Sequence, residues 1–152
     1  MKVLIVEDDA PLRVFMKDTV ESQGFETFTA ENGLQGLEKF KKVCPDLVFS
    51  DINMPKMNGL ELLEEVRKIN SNVIVVMVTA FDCEEYAIKA MALRANNYLK
   101  KPVLHNELLP LLKKYASLTQ KPTESFERPE EVNKPTFSLS LYSVIFPVPV
   151  DS

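Results

Sequence analysis

Five short strand-like runs alternate with stretches of helical spacing over about the first 118 residues, and no other feature narrows the possible folds as far. The runs fall at residues 2–6, 26–29, 46–50, 72–78 and 97–99. A strand with one wet face alternates apolar and polar residues. Residues 46–50 and 72–78 are close to continuous in apolar character instead, which predicts strands covered on both faces. Between the runs, Leu12, Phe15, Met16 and Val20 recur at helical spacing, as do Leu34, Leu37 and Phe40. Leu60, Leu63, Val66 and Ile69 mark a third helix, and Ala87, Ala90, Met91 and Leu93 a fourth. Leu108, Leu111, Leu112 and Tyr115 mark a fifth. Pro11 suits a first helical turn, while Gly24, Asn32-Gly33 and Pro45 punctuate the joints. Pro110 falls inside the last helix, where its missing N–H predicts a delayed start or a bend. Successive right-handed crossovers put helices on both faces of one sheet. The predicted class is therefore α/β, a doubly wound five-stranded parallel sheet flanked by five helices.

At 152 residues the chain fits one domain with material to spare. The net charge of −4 leaves no electrostatic footprint for nucleic acid, so direct nucleic-acid binding is not expected. The apolar run after Lys2 is too short for a signal peptide, and nothing approaches the roughly 18 apolar residues of a membrane span. A cytoplasmic protein is expected. Cys44 and Cys83 form no C-x-x-C pair and read as buried or half-buried small hydrophobes. Residues 119–136 are polar, charged and broken by proline, as in a linker. Residues 137–150 turn apolar, with period-two spacing at Phe137, Leu139 and Leu141. One strand is conceivable there, but not a domain. The expected division is a domain at 1–118 and an irregular tail at 119–152 with no DNA-binding or enzymatic output domain.

The ends of the runs carry the chemistry. Asp51 closes the third, followed at once by Ile52-Asn53-Met54-Pro55, and Glu7-Asp8-Asp9 close the first. The carboxyl ends of strands in an open α/β sheet face the crevice where ligands bind. Acids crowded there cannot all stay ionised without a cation, and a hard divalent metal with oxygen ligands resolves the conflict. The fourth run ends in Thr79-Ala80 and the fifth leads into Lys100-Lys101-Pro102. An Asp carboxylate can attack phosphorus and form an acyl phosphate, while a metal neutralises charge on the phosphoryl oxygens. The Thr79 hydroxyl and the Lys101 ammonium suit the remaining oxygens. The set describes phosphoryl transfer onto and off Asp51. Asp9 reads as a solvated acid or a helix cap, His105 as an exposed loop residue, and Met54, Met57 and Met77 as gap-filling core.

Val6-Glu7-Asp8-Asp9, Asp51-Ile52-Asn53-Met54-Pro55-x-x-x-Gly59, Thr79-Ala80 and Tyr98-Leu99-Lys100-Lys101-Pro102 together resemble the receiver domain of two-component response regulators. The likeness covers about residues 1–118, and its specificity lies in all four motifs standing in order at predicted strand ends. It implies a flavodoxin-like sheet of order 2-1-3-4-5. It implies Asp51 as phosphoacceptor and a Mg²⁺ site from Asp8, Glu7 (usually through water), Asp51 and the Asn53 carbonyl. It further implies Thr79 and Lys101 as phosphate ligands, Tyr98 as the aromatic that follows Thr79, and a cis bond before Pro102. Asn53 and Phe81 would flank the phosphate and tune its lifetime. The implied donor is a sensor histidine kinase or a histidine phosphotransfer protein, with an unspecified downstream protein partner. The family often has Gly where Arg94 stands. An interaction module that keeps the fold without phosphorylation is the alternative, and it predicts loss of a site residue. An aspartyl phosphatase would want a second Asp at position 53, and a nucleotide or flavin binder a Gly-rich first turn.

Overall fold

The structure, a computed structural model, describes residues 1–80 and 84–119. Expectations resting on Phe81, Cys83 and residues 120–152 lie outside those. Ten elements alternate: β1 (Lys2–Val6), α1 (Ala10–Ser22), β2 (Glu26–Ala30), α2 (Gly33–Val43), β3 (Leu47–Asp51), α3 (Gly59–Ile69), β4 (Ile74–Thr79), α4 (Glu84–Ala92), β5 (Asn97–Lys100) and α5 (His105–Thr119). All pairings are parallel and the strand order is β2-β1-β3-β4-β5.

The sheet divides its own side chains between two cores. Val3, Ile5, Leu47, Phe49, Val76 and Val78 pack with Met16 and Val20 of α1 and Leu108, Leu112 and Tyr115 of α5. Leu4, Val6, Val48, Val75 and Met77 pack on the other face with Phe40 of α2, Leu62, Leu63 and Val66 of α3, and Ala90 of α4. Alternation along a strand sends neighbours to opposite faces, and both faces here are covered. That is why β3 and β4 are buried at every position. Each fully buried Leu, Ile, Val or Phe contributes about 1.5–3 kcal/mol relative to exposure.

Local chemistry sets the helix ends. Asn32 caps α2 by accepting from the Gln35 N–H, and Asn58 and Glu61 form a reciprocal capping box at α3. Asp9 occupies the N-cap position of α1, but its side chain makes no capping bond. At the end of α4 the Arg94 N–H bonds to the Met91 carbonyl and the Ala95 N–H to the Ala90 carbonyl. This is a Schellman closure, and it requires a left-handed residue, which Arg94 supplies at φ +67°. Glycine is favoured there because a Cβ is strained in that conformation.

The readings of Cys44 as buried or half-buried, of Pro110 as delaying the last helix and of His105 as a loop residue need correction. Cys44, the left-handed residue that ends α2, is exposed. Met91 is 60% exposed and Ile88 63%, leaving Ala90 as the one buried residue described in α4. Pro110 does not delay the last helix, which begins at His105 and runs through it. His105 thus belongs to a helix rather than a loop, and it is exposed as expected. The bond before Pro102 is cis.

Candidate functional site

Register builds the site. β1 and β3 are adjacent, with Val6 opposite Ser50, so the next residues, Glu7 and Asp51, stand side by side at the sheet's carboxyl edge. Asp51 is the last residue of β3 and lies opposite Val78, one before Thr79. On the far side Thr79 is opposite Lys100, and the Lys101 N–H bonds to the Thr79 carbonyl at 2.7 Å. The crevice predicted from strand ends is therefore a single place.

Its backbone is pinned close to the reacting group. The Ile52 N–H reaches the Val78 carbonyl at 3.2 Å, and the Gly59 N–H reaches the Ile52 carbonyl at 2.8 Å. A Cβ on Gly59 would overlap the Asp51 carbonyl oxygen and come within 2.8 Å of the Ile52 Cα. Only glycine lets the start of α3 sit directly on the end of β3, which explains Gly59 in the motif. The Glu7 backbone is held at both ends. Its N–H donates to the Ala30 carbonyl at 3.0 Å, and its carbonyl accepts from Arg13 Nη1 at 2.7 Å. Arg13 was missed from sequence, since an arginine on an amphipathic helix reads as surface charge.

The side chains form a buried charged knot. Lys101 Nζ lies 3.2 Å from Glu7 Oε2 and 3.2 Å from Asp51 Oδ2. Glu7 is 1% exposed and Asp51 4%. Glu7 Oε2 also accepts from the Asp9 N–H at 3.1 Å, but Glu7 Oε1 has no partner among the described residues. Burial, then the charge of Asp51, pushes the Glu7 carboxyl up to about 7. Burial raises Asp51 as well, against the pull of Lys101. Burial opposes the charge on Lys101, yet Glu7 and Asp51 outweigh it and raise the ammonium's pKa.

Asp8 is exposed at the rim, and one carboxylate oxygen each from Glu7, Asp8 and Asp51 lie within 4.8 Å of one another. Three carboxylates against one ammonium leave a deficit of two positive charges. An unpartnered buried carboxylate oxygen, that deficit and an all-oxygen donor set fit a hard divalent cation. Asn53 is exposed beside them, its N–H 3.4 Å from Asp51 Oδ1. Thr79 is fully buried at the end of β4, and Tyr98 is half-buried on β5 opposite Met77. Every described residue proposed for the site thus sits at or beside one edge of the sheet. Next to Lys101 an open cleft of about 610 Å³ is lined by Asp9, Pro11, Leu12, Phe15, Pro102 and Val103, among others.

A doubly wound sheet carrying this acid, hydroxyl and lysine edge defines a class of phosphoryl-handling α/β proteins. The chain belongs to the response regulator receiver domain family, whose model matches residues 3–113. It is 36% identical over 114 residues to the chemotaxis protein CheY of Bacillus subtilis (strain 168), covering 74% of this chain and 95% of that one. It is 34% identical over 117 residues to sporulation initiation phosphotransferase F of the same organism, covering 77% and 94%. Among solved structures, Vibrio cholerae chemotaxis protein CheY4 superposes with a TM-score of 0.71 at 32% identity, covering 75% of this chain and 97% of that one. A CheY-like receiver domain protein from Methanospirillum hungatei JF-1 gives 0.71 at 30% identity, covering 77% and 97%. Among the described residues no helix is long and apolar enough to cross a membrane.

Proposed function

We propose that this receiver domain takes a phosphoryl group onto Asp51 from the phosphohistidine of a sensor histidine kinase or a histidine phosphotransfer protein. The observation that carries the reading is the Lys101 ammonium bridging Asp51 and Glu7 at 3.2 Å each, beside a Glu7 oxygen with no partner. An Asp51 carboxylate oxygen attacks phosphorus, the bond from phosphorus to the donor nitrogen breaks, and its electron pair stays with the imidazole. Lys101 turns from the carboxylates to a phosphoryl oxygen, and Thr79 donates to another. Glu7, Asp8, Asp51 and the Asn53 carbonyl would hold Mg²⁺, which when bound neutralises charge on the phosphoryl oxygens. Attack of water in line on phosphorus returns Asp51 as a carboxylate and releases phosphate. The chemistry is assigned to residues 1–118 of a cytoplasmic protein, with 119–152 an appended segment.

The new charge shifts a two-state equilibrium rather than creating a new fold. Thr79 ends β4 immediately before the connection to α4, and Tyr98 stands on the neighbouring strand, so the two couple the site to the α4 and β5 face. A downstream protein partner reads that face. The reading is tested by incubating the protein with acetyl phosphate and Mg²⁺ beside Asp51→Asn on a phosphate-retarding gel. A retarded, hydroxylamine-labile species that vanishes in the variant is expected. A shift that survives the substitution, or none even with cognate kinase, would sink it.

A further inference from the structure

The opposite end of the sheet holds a second polar cluster. Arg67 of α3 is only 9% exposed. Its Nη1 donates to the Val73 carbonyl at 2.7 Å and the Asn70 carbonyl at 3.3 Å. Its Nη2 donates to the Arg94 carbonyl at 2.7 Å and to Asn96 Oδ1 at 3.0 Å, and its Nε reaches the Arg94 carbonyl at 3.2 Å. A guanidinium has five N–H donors, and these five bonds employ them all. No carboxylate is among the acceptors. The group is a connector of backbone rather than half of an ion pair.

What it connects is specific. Val73 leads into β4, and Asn70 is the C-cap of α3. Arg94 is the left-handed residue that closes α4, and Asn96 ties back to β4, accepting from the Val75 N–H at 2.9 Å and donating its own N–H to the Val75 carbonyl at 2.8 Å. The helix attached at this point packs on the sheet through Ala90, with Tyr86 and Leu93 partly buried beside it. Ala90 is its one buried residue described, and Ile88 and Met91 lie open to solvent. The left-handed turn at Arg94 aims the carbonyl that receives two of the guanidinium bonds, so a strained backbone and a buried cation depend on each other.

We propose that Arg67 is the positioning residue that anchors the C-terminal end of α4 to α3 and β4 through the Arg94 carbonyl. α4 is then tied at one end to the strand that carries Thr79 and at the other to Arg67, which makes the Arg94 turn the fixed end about which α4 is held. The inference deepens the proposed switching role of α4 but rests on the fold, so it is tested in unphosphorylated, metal-free protein.

Hydrogen exchange on the full chain is the measurement. Arg67→Gln is expected to speed exchange of the α4 amides and of Ala95 and Asn96 by about tenfold or more, because it unpairs the buried Val73 carbonyl and removes both bonds to the part-buried Arg94 carbonyl. The amides of α1 and α5, on the other face of the sheet, are expected to keep wild-type rates. Arg94→Gly, which removes the strain at the turn, is expected to restore much of the lost protection when combined with Arg67→Gln. Should Arg67→Gln not fold, Asn96→Ala removes one guanidinium acceptor and is expected to loosen the same amides less. A rise spread evenly over α1, α5 and α4, or confined to α3, would overturn the anchor. So would failure of Arg94→Gly to restore the α4 amides.

Discussion

Lys101 is the residue on which the two halves of the site depend. Two buried carboxylates share one ammonium at 3.2 Å each, and removing one partner of such a set leaves charge uncompensated. Lys101→Met is therefore expected to lower stability at pH 8 by about 3 kcal/mol in the absence of divalent ions. The loss should shrink near pH 5, where Glu7 takes up a proton, and urea unfolding at the two pH values measures both. The same variant should label Asp51 from acetyl phosphate at least about 10²-fold more slowly, since a donor aimed at the developing charge is gone. Gly59 constrains the site in another way. A Cβ there meets the Asp51 carbonyl, so Gly59→Ala must push α3 off the end of β3. A cost of about 1–3 kcal/mol is expected from overpacking, with slower labelling of Asp51, read by urea unfolding and a timed acetyl phosphate reaction.

Among the elements, legibility followed burial. β3 and β4 were plain in the sequence because cover on both faces made them apolar throughout, although each was read a residue or two early. α4 was the least legible in its packing. Its apolar spacing at Ala87, Ala90 and Met91 marked a helix, and of the three only Ala90 is buried. Hydrophobic period reports which residues share a side, not whether anything covers that side. The site was legible because strand ends are local features whose residue types declare their chemistry. Arg13 and Arg67 were not, since their acceptors are backbone carbonyls that lie beside them only after folding. The capping box at Asn58 and Glu61 was visible in the sequence and overlooked. α5 carries a testable contradiction of its own. Pro110 stands within the helix, where it forfeits one backbone bond, and the buried Leu108, Leu112 and Tyr115 hold the helix together around it. Pro110→Ala is expected to raise stability by about 1–3 kcal/mol, visible as a higher urea midpoint with an unchanged slope.

For the whole molecule, the buried acids make stability depend on pH in the direction opposite to that of a salt-bridged surface carboxylate. Glu7 has its carboxyl raised from 4.5 to about 7 on folding, and Asp51 is raised too. Between those two values the folded chain holds a proton that the unfolded chain has released, so stability falls as pH rises. The contribution is fully present below pH 4.5 and is lost as pH passes through about 7. A rise of that size corresponds to about 3 kcal/mol for Glu7. On the proposed reading a divalent cation would reverse the trend, because it would bind the ionised acids and displace the proton from them. Urea unfolding without divalent ions should therefore weaken from pH 5 to pH 8. With Mg²⁺ at a hundred times its dissociation constant at pH 8, about 2.7 kcal/mol should be regained there, and much less at pH 5. Glu7→Gln, neutral at every pH, should flatten the metal-free profile and lose most of the Mg²⁺ response. A Mg²⁺ effect of equal size at both pH values would place the ion somewhere other than among Glu7, Asp8 and Asp51.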